Sequence, residues 1–365
     1  MSLKTKITSS YFKFSEHKQL IFLLLTLIIG VSVLWPQHNF QNYLAQGDHG
    51  RDLYCFKKTM EGALPYRDYS WLFGPLMPYY YSLFYFLGGI SIQSVILGYL
   101  LLVLLTGILI YMTCALFFSP ALSLVCALWY WCFRDVEFFY TYNHNGGLLA
   151  LIAALYCLFR YIRDNRLGCV YAGFISIFLL GLTRLNMGIA NLLAFTIALL
   201  LVDFVKKDPA APGKRRLYAS LFLIVLIVTA AIYWYLLYPL PDYAIQQSFP
   251  YGKTQRTDFS STPIDAALYA FSLIFSYFSA SLPQKIFGTI LLLSLLQSCI
   301  VTFSKKTPQE LKNNFLLIFI SLFIFIIFSS HEFIASGVYY RVSWFMPLIF
   351  VTIFTLIAIA IKGVS

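Results

Sequence analysis

Charge is what this chain has least of: Asp, Glu, Lys and Arg make up 11% of its 365 residues, while 60% are hydrophobic. A soluble domain carries about 25% charged and about 45–50% apolar residues, so this composition leaves too few polar groups to clothe a water-facing surface. A soluble globular protein is excluded. The strand-like alternation of a membrane barrel is also missing; apolar runs of about 20 residues recur instead, the length of a helix that crosses a bilayer. No CxxC pair occurs, and the cysteines are odd in number: 55, 114, 126, 132, 157, 169 and 299. Most lie inside apolar runs, which reads as small core residues and not as a disulfide scaffold or metal site; Cys55 alone sits in a polar loop. There is no Asn-x-Ser/Thr sequon, internal repeat or low-complexity tract.

What is present is an all-α integral membrane chain. About ten transmembrane helices are expected, at 19–36, 92–118, 120–133, 146–162, 168–183, 187–205, 217–238, 286–303, 314–330 and 342–361, in a single multi-span domain over 1–365. The first run follows a basic N-terminus without a small-residue cleavage site and is expected to be a signal anchor. A net charge of +11 would suit a nucleic-acid binder, yet the whole excess falls on segments of one side. Basic loops mark the cytoplasmic face, so both termini are expected inside, the partners are membrane lipids, and no nucleic acid is implied. Two further apolar segments, 75–90 and 264–282, would invert that charge asymmetry if they crossed, so they are expected to be interfacial or re-entrant helices.

Apart from the inner basic segments, the charged groups lie in outer-facing loops, chiefly 37–91 and 239–285, and the expected spans are nearly free of them. Ion-coupled transport usually needs buried charges, so chemistry at the outer face is favoured over passage through the bundle. In the first loop Asp48 precedes a short helix with Leu53, Phe56 and Met60 on one side, expected to rest on the membrane surface, and Gly62 is placed to end it. Asp48 and Asp52 share a helix face. As a helix N-cap Asp48 has a purely structural reading beside the functional one. Asp68 lies in a Pro-Tyr-Arg-Asp-Tyr turn that an aspartate commonly stabilises. His144 beside Asn145 has a structural reading too, whereas Arg184 at the membrane boundary needs an anion, either a carboxylate or a lipid phosphate. His331, Tyr340 and Arg341 flank the last spans at headgroup depth. The many aromatics form an interfacial belt on the plain reading, with some available to line a groove for a lipid chain or a sugar.

With those residues in view, the chain resembles the type-C membrane glycosyltransferases, in the bacterial branch related to protein O-mannosyltransferases and aminoarabinose transferases. The resemblance rests on Asp48 opening its surface helix, then on Gly62, Pro65, Tyr66 and Asp68. It continues through Gly74-Pro75-Leu76 with Tyr79-Tyr80, the segment Gly181–Gly188 and the segment Tyr339–Val351. It implies a polyprenyl-phosphate sugar donor, a lipid, glycan or protein acceptor, inverting transfer, and an active site outside the cytoplasm at the cell inner membrane. It implies Asp48 as the catalytic base. Arg341 and Arg184, with Lys253 or Arg256, would neutralise the leaving phosphate. His49, Tyr66, Asp68, His144, Asn145, His331 and Tyr340 would line the substrate site. No redox cofactor follows; relatives differ in their use of a divalent metal, and no metal ligand is assigned here. His49 departs from relatives that carry a second carboxylate beside the first. Polysaccharide polymerase or ligase chemistry, and a lipid-linked sugar flippase or transporter, are the alternatives.

Overall fold

The computed structural model describes residues 16–36, 48–117, 119–133, 142–207, 210–238 and 309–336, with 345, 347–349, 351–352 and 355. Ten helices are formed there. They are α1 (Glu16–Leu34), α2 (Asp48–Met60), α3 (Leu76–Gly88), α4 (Ile92–Ala115), α5 (Pro120–Phe133), α6 (Tyr142–Asp164), α7 (Leu167–Thr183), α8 (Leu185–Lys206), α9 (Ala211–Leu237) and α10 (Gln309–Ser336). No strand occurs among the described residues, only one isolated bridge between Pro65 and Tyr69. The expected all-α membrane class holds. Five helices, within α4, α6, α8, α9 and α10, are long and apolar enough to cross a bilayer. Their outer surfaces expose large apolar side chains such as Leu97, Phe204, Ile227 and Phe323, a surface suited to lipid and not to water. The spans expected at 286–303 and 342–361, and the segment 264–282, lie wholly or mostly outside the described residues.

Local chemistry sets the element ends. Ser91 caps α4 by accepting the Ser94 N–H at 3.2 Å, and the Ser94 hydroxyl donates to the Gly89 carbonyl at 2.7 Å. Helix α2 ends as its sequence suggests: Gly62 has φ +93, its N–H meets the Thr59 carbonyl, and the Ala63 N–H reaches back to Lys58. Those two bonds close a Schellman motif, which asks for a left-handed residue at that place. Helix α3 has 13 residues and rises about 20 Å, short of the roughly 30 Å hydrocarbon core, in keeping with a non-spanning segment. Helix α5, at 14 residues, is likewise shorter than a full crossing.

The bundle is a chain of neighbouring helix pairs. α1 packs on α4 and α5, α4 on α6, α6 on α7, and α7 on α8; α9 lies across α7 and α8, and α10 lies along α8. Trp131 of α5 keys the first layer, its buried indole donating to the Val103 carbonyl at 3.1 Å. Polar pairs fix the register of α10 on α8: the Ser329 hydroxyl donates to Asn191 Oδ1 at 3.1 Å, and the Asn191 amide donates to the Met187 carbonyl at 3.0 Å.

Connectivity gives the bundle two chemically distinct ends. At one, the α6–α7 and α8–α9 turns meet and gather Arg160, Arg163, Arg166, Lys206, Lys207, Lys214, Arg215 and Arg216. Lys206 donates to the Ile162 carbonyl, and Lys214 donates to Asn165 Oδ1 and the Tyr161 hydroxyl, each at 2.9 Å. The Tyr161 hydroxyl in turn donates to Asp203 Oδ1 at 3.0 Å and lies 2.7 Å from the Tyr218 hydroxyl. Asp203 is thus a carboxylate buried within α8, an exception to spans nearly free of charge. The other end carries α2, α3, the segment between them, the α7–α8 break and the last turns of α9 and α10.

Candidate functional site

At that second end, the segment joining α2 to α3 is folded, not draped on a membrane. Phe56, expected on the membrane surface, is fully buried: its ring stacks 4.7 Å from Tyr81 and meets Trp71 edge-on at 6.1 Å. The reason is α3, whose aromatic face turns back over α2 and offers Phe56 a protein environment. Part of the expected aromatic belt is therefore core, with Tyr69, Trp71, Tyr81 and Tyr85 all buried. The Thr59 and Tyr69 hydroxyls share a hydrogen bond at 2.6 Å, and the Cys55 thiol donates to the Ser70 carbonyl at 3.7 Å. Burial, reinforced by the Asp52 carboxylate, pushes the Cys55 thiol up to about 12.

The turn at 64–69 is closed from both sides. The Leu64 N–H donates to Asp68 Oδ2 at 2.7 Å, and the Asp68 N–H donates to the Leu64 carbonyl at 3.0 Å. Between them Tyr66 sits at φ +69, a left-handed conformation that costs a bulky residue about 1–2 kcal/mol. Its side chain offsets that cost: the ring is buried 6.3 Å from Tyr233, and the hydroxyl donates to the Phe73 carbonyl. The segment then clips onto the α7–α8 break. The Gly74 N–H donates to the Thr183 carbonyl at 2.9 Å, and the Trp71 indole N–H donates to the Gly74 carbonyl at 2.9 Å. A Cβ on Gly74 would lie 2.1 Å from the Leu182 carbonyl oxygen, so only glycine allows this approach.

Beside that clip stands Arg184. A single extended residue, φ −156 and ψ 108, it separates α7 from α8 and projects its side chain at the bundle end. Its guanidinium lies 5.3 Å from the Phe73 ring centroid, a cation–π contact that covers one face. Two residues on, the Asn186 amide lies 3.3 Å from His331 Nε2, while His331 Nδ1 lies 2.6 Å from the Phe328 carbonyl. A carbonyl can only accept, so the proton is on Nδ1 and Nε2 accepts from Asn186. Arg184 and the Asn186–His331 pair thus lie at the same end of α8, and the guanidinium is the group there suited to an anion.

The structure pairs His331 with Asn186, two residues after Arg184, and sets the Arg184 guanidinium against Phe73. Asp68 is exposed on the same folded segment, with Oδ2 committed to its own turn. Tyr66, expected to touch substrate, is instead a buried anchor of that turn, because the Phe73 carbonyl takes its hydroxyl. His144 is buried and Asn145 half-buried in the first turn of α6, beside Gly146, whose position packs against Met77 of α3. Asp48 and His49 form the first residues of α2 as backbone; their side chains, and Lys253, Arg256, Tyr340 and Arg341, lie outside the described residues. Asp52 is buried, and Arg51 donates twice to its Oδ1, at 3.0 and 2.8 Å. Among the described residues no three of His, Cys, Asp and Glu converge as metal ligands.

No family model matches the sequence, and no curated protein matches it. Among solved structures, the crystal structure of ArnT from Cupriavidus metallidurans bound to undecaprenyl phosphate is similar at 13% identity and a TM-score of 0.47. The similarity covers 96% of this chain and 78% of that one.

The sequence marks Arg184 and His331 as separate polar points, shows nothing of the Asn186–His331 bond, and leaves Phe73 unmarked. Nothing in an aromatic-rich run marks the one ring that will cover a distant guanidinium. The Gly74-Pro75 pair carried the usable signal, since a glycine before a helix start often marks close backbone approach.

Proposed function

We propose that the protein moves a sugar from a polyprenyl-phosphate donor to an acceptor hydroxyl on the extracytoplasmic side of the cell inner membrane. The acceptor oxygen attacks the anomeric carbon and its proton passes to Asp48. The bond from that carbon to the phosphate oxygen breaks with its electron pair, and polyprenyl phosphate leaves. Arg184 stabilises the charge developing on the phosphate, a role that electrostatic preorganisation favours.

One observation carries the reading. The segment that begins with the Asp48 helix is clipped through Gly74 to Thr183, the residue before Arg184, so the base-bearing loop and the cation share one rigid end of the bundle. The opposite end holds the basic clusters, which supports placing the site on the extracytoplasmic face. The test is release of radiolabelled sugar from a polyprenyl-phosphate donor in proteoliposomes. Asp48→Asn is expected to abolish transfer while leaving insertion and thermal stability unchanged, and retained transfer removes Asp48 from the chemistry. Movement of intact lipid-linked sugar across the bilayer, without cleavage from its carrier, would favour the flippase reading instead.

A further inference from the structure

Arg67 and its surroundings take no part in the transfer chemistry. Arg67 is exposed, and among the described residues it makes neither an ion pair nor a hydrogen bond. What holds it is the ring of Tyr235 in the last turn of α9, with the guanidinium carbon 5.5 Å from the ring centroid. The guanidinium rests on that ring with its five N–H donors uncommitted. The turn fixes the backbone beneath it: Tyr66 is held at φ +69 by its buried ring, and the Leu64–Asp68 bonds close the loop. The neighbouring Asp68 keeps one oxygen outward, since only Oδ2 is taken by the Leu64 N–H. Two half-open aromatic rings flank the pair, Tyr235 at 63% exposure and Tyr79 at 43%.

The mixture of groups decides the ligand class. Arginine alone would suit a phosphate, but the adjacent carboxylate would repel one. A donor-rich cation beside an acceptor-only carboxylate, with aromatic faces at hand, fits a ligand whose groups both donate and accept, namely the vicinal hydroxyls of a pyranose. We infer that Arg67 and Asp68, flanked by Tyr79 and Tyr235, form a carbohydrate subsite distinct from the Arg184 anion site. Arg67 donates to one sugar hydroxyl, Asp68 Oδ1 accepts from its neighbour, and the tyrosine rings pack on the sugar's C–H face. This subsite rests on the transferase reading for its role but not for its binding chemistry.

The test is saturation-transfer NMR on the full chain in lipid nanodiscs, with methyl pyranosides of glucose, galactose and mannose as probes. At least one probe is expected to receive saturation from the wild-type protein, and Arg67→Gln, Asp68→Asn and Tyr235→Ala are each expected to weaken it about tenfold or more. Arg67→Lys should fall between, and Lys57→Gln should change nothing. Signal that persists with excess undecaprenyl phosphate and with sugar-loaded carrier assigns the subsite to the acceptor. Signal displaced only by sugar-loaded carrier assigns it to the donor's sugar. No transfer to any probe, or equal transfer in Arg67→Gln, overturns the inference. Pyranoside binding without sugar release from the lipid donor would leave the subsite standing and sink the transferase reading.

Discussion

Gly74→Ala tests whether the folded loop is held to the bundle as the geometry implies. The added methyl would lie 2.1 Å from the Leu182 carbonyl oxygen, so the contact must open by more than an ångström to reach an ordinary 3.4 Å. Both surfaces are backbone, one ending a helix and the other entering one, and neither can rotate away as a side chain would. Overpacking of this kind costs about 1–3 kcal/mol. Separation also breaks the 2.9 Å bond from Gly74 to Thr183, a further loss of about 1 kcal/mol. Together they favour loop undocking by about 2–4 kcal/mol, or about 30- to 900-fold in the open population. Cys55 reports that opening directly, because its thiol is buried against the Ser70 carbonyl. At pH 8.5 an ordinary cysteine is about half ionised. Cys55 is held protonated, its pKa pushed up to about 12 by burial and by the Asp52 carboxylate. Maleimide labelling read by peptide mass spectrometry should therefore find Cys55 protected and the exposed Cys132 modified in the wild type. In Gly74→Ala, Cys55 should label faster by the factor above. Gly62→Ala is the control: it meets nothing within 4 Å and carries only the strain of φ +93, so it should loosen Cys55 far less. Unchanged labelling in Gly74→Ala, or equal labelling in both variants, would refute the clip.

Other predictions follow from the same geometry. Arg184→Ala should raise the KM for the lipid donor with little change for the acceptor, and equal effects on both would argue against a phosphate contact. Phe73→Leu, which removes the ring over that guanidinium, should weaken donor use by a smaller factor, since a cation–π contact at an exposed site is worth about 0.5–1 kcal/mol. Asn191→Ala should cost about 1–3 kcal/mol in thermal unfolding, because it leaves the Ser329 hydroxyl buried with one fewer acceptor between α8 and α10. Asp203→Leu should also destabilise, as it strips Tyr161 of its buried acceptor while Lys214 remains; a rise in melting temperature would show the ionic cluster to be a net cost.

Composition determined that this chain is membranous, since 60% apolar residues leave too little polar surface to face water on all sides, and the recurring apolar runs of about 20 residues determined that it is helical. Capping and breaker residues also placed local features correctly: the helix opened by Asp48 and its end at Gly62. These were legible because each depends on a few neighbouring residues and their backbone preferences. Sequence did not decide which face of α2 meets protein. Leu53, Phe56 and Met60 looked like a membrane-resting stripe, because an apolar helix face reads the same whether lipid or an aromatic neighbour covers it. Nor did it decide that Tyr66 is an anchor, that Asn186 bonds His331, or that Arg67 lies over Tyr235. Those pairings join residues far apart in the chain, and a ring or guanidinium has no local preference for a particular distant partner. Only the packing of α7, α8, α9 and α10 around the clipped loop could choose them.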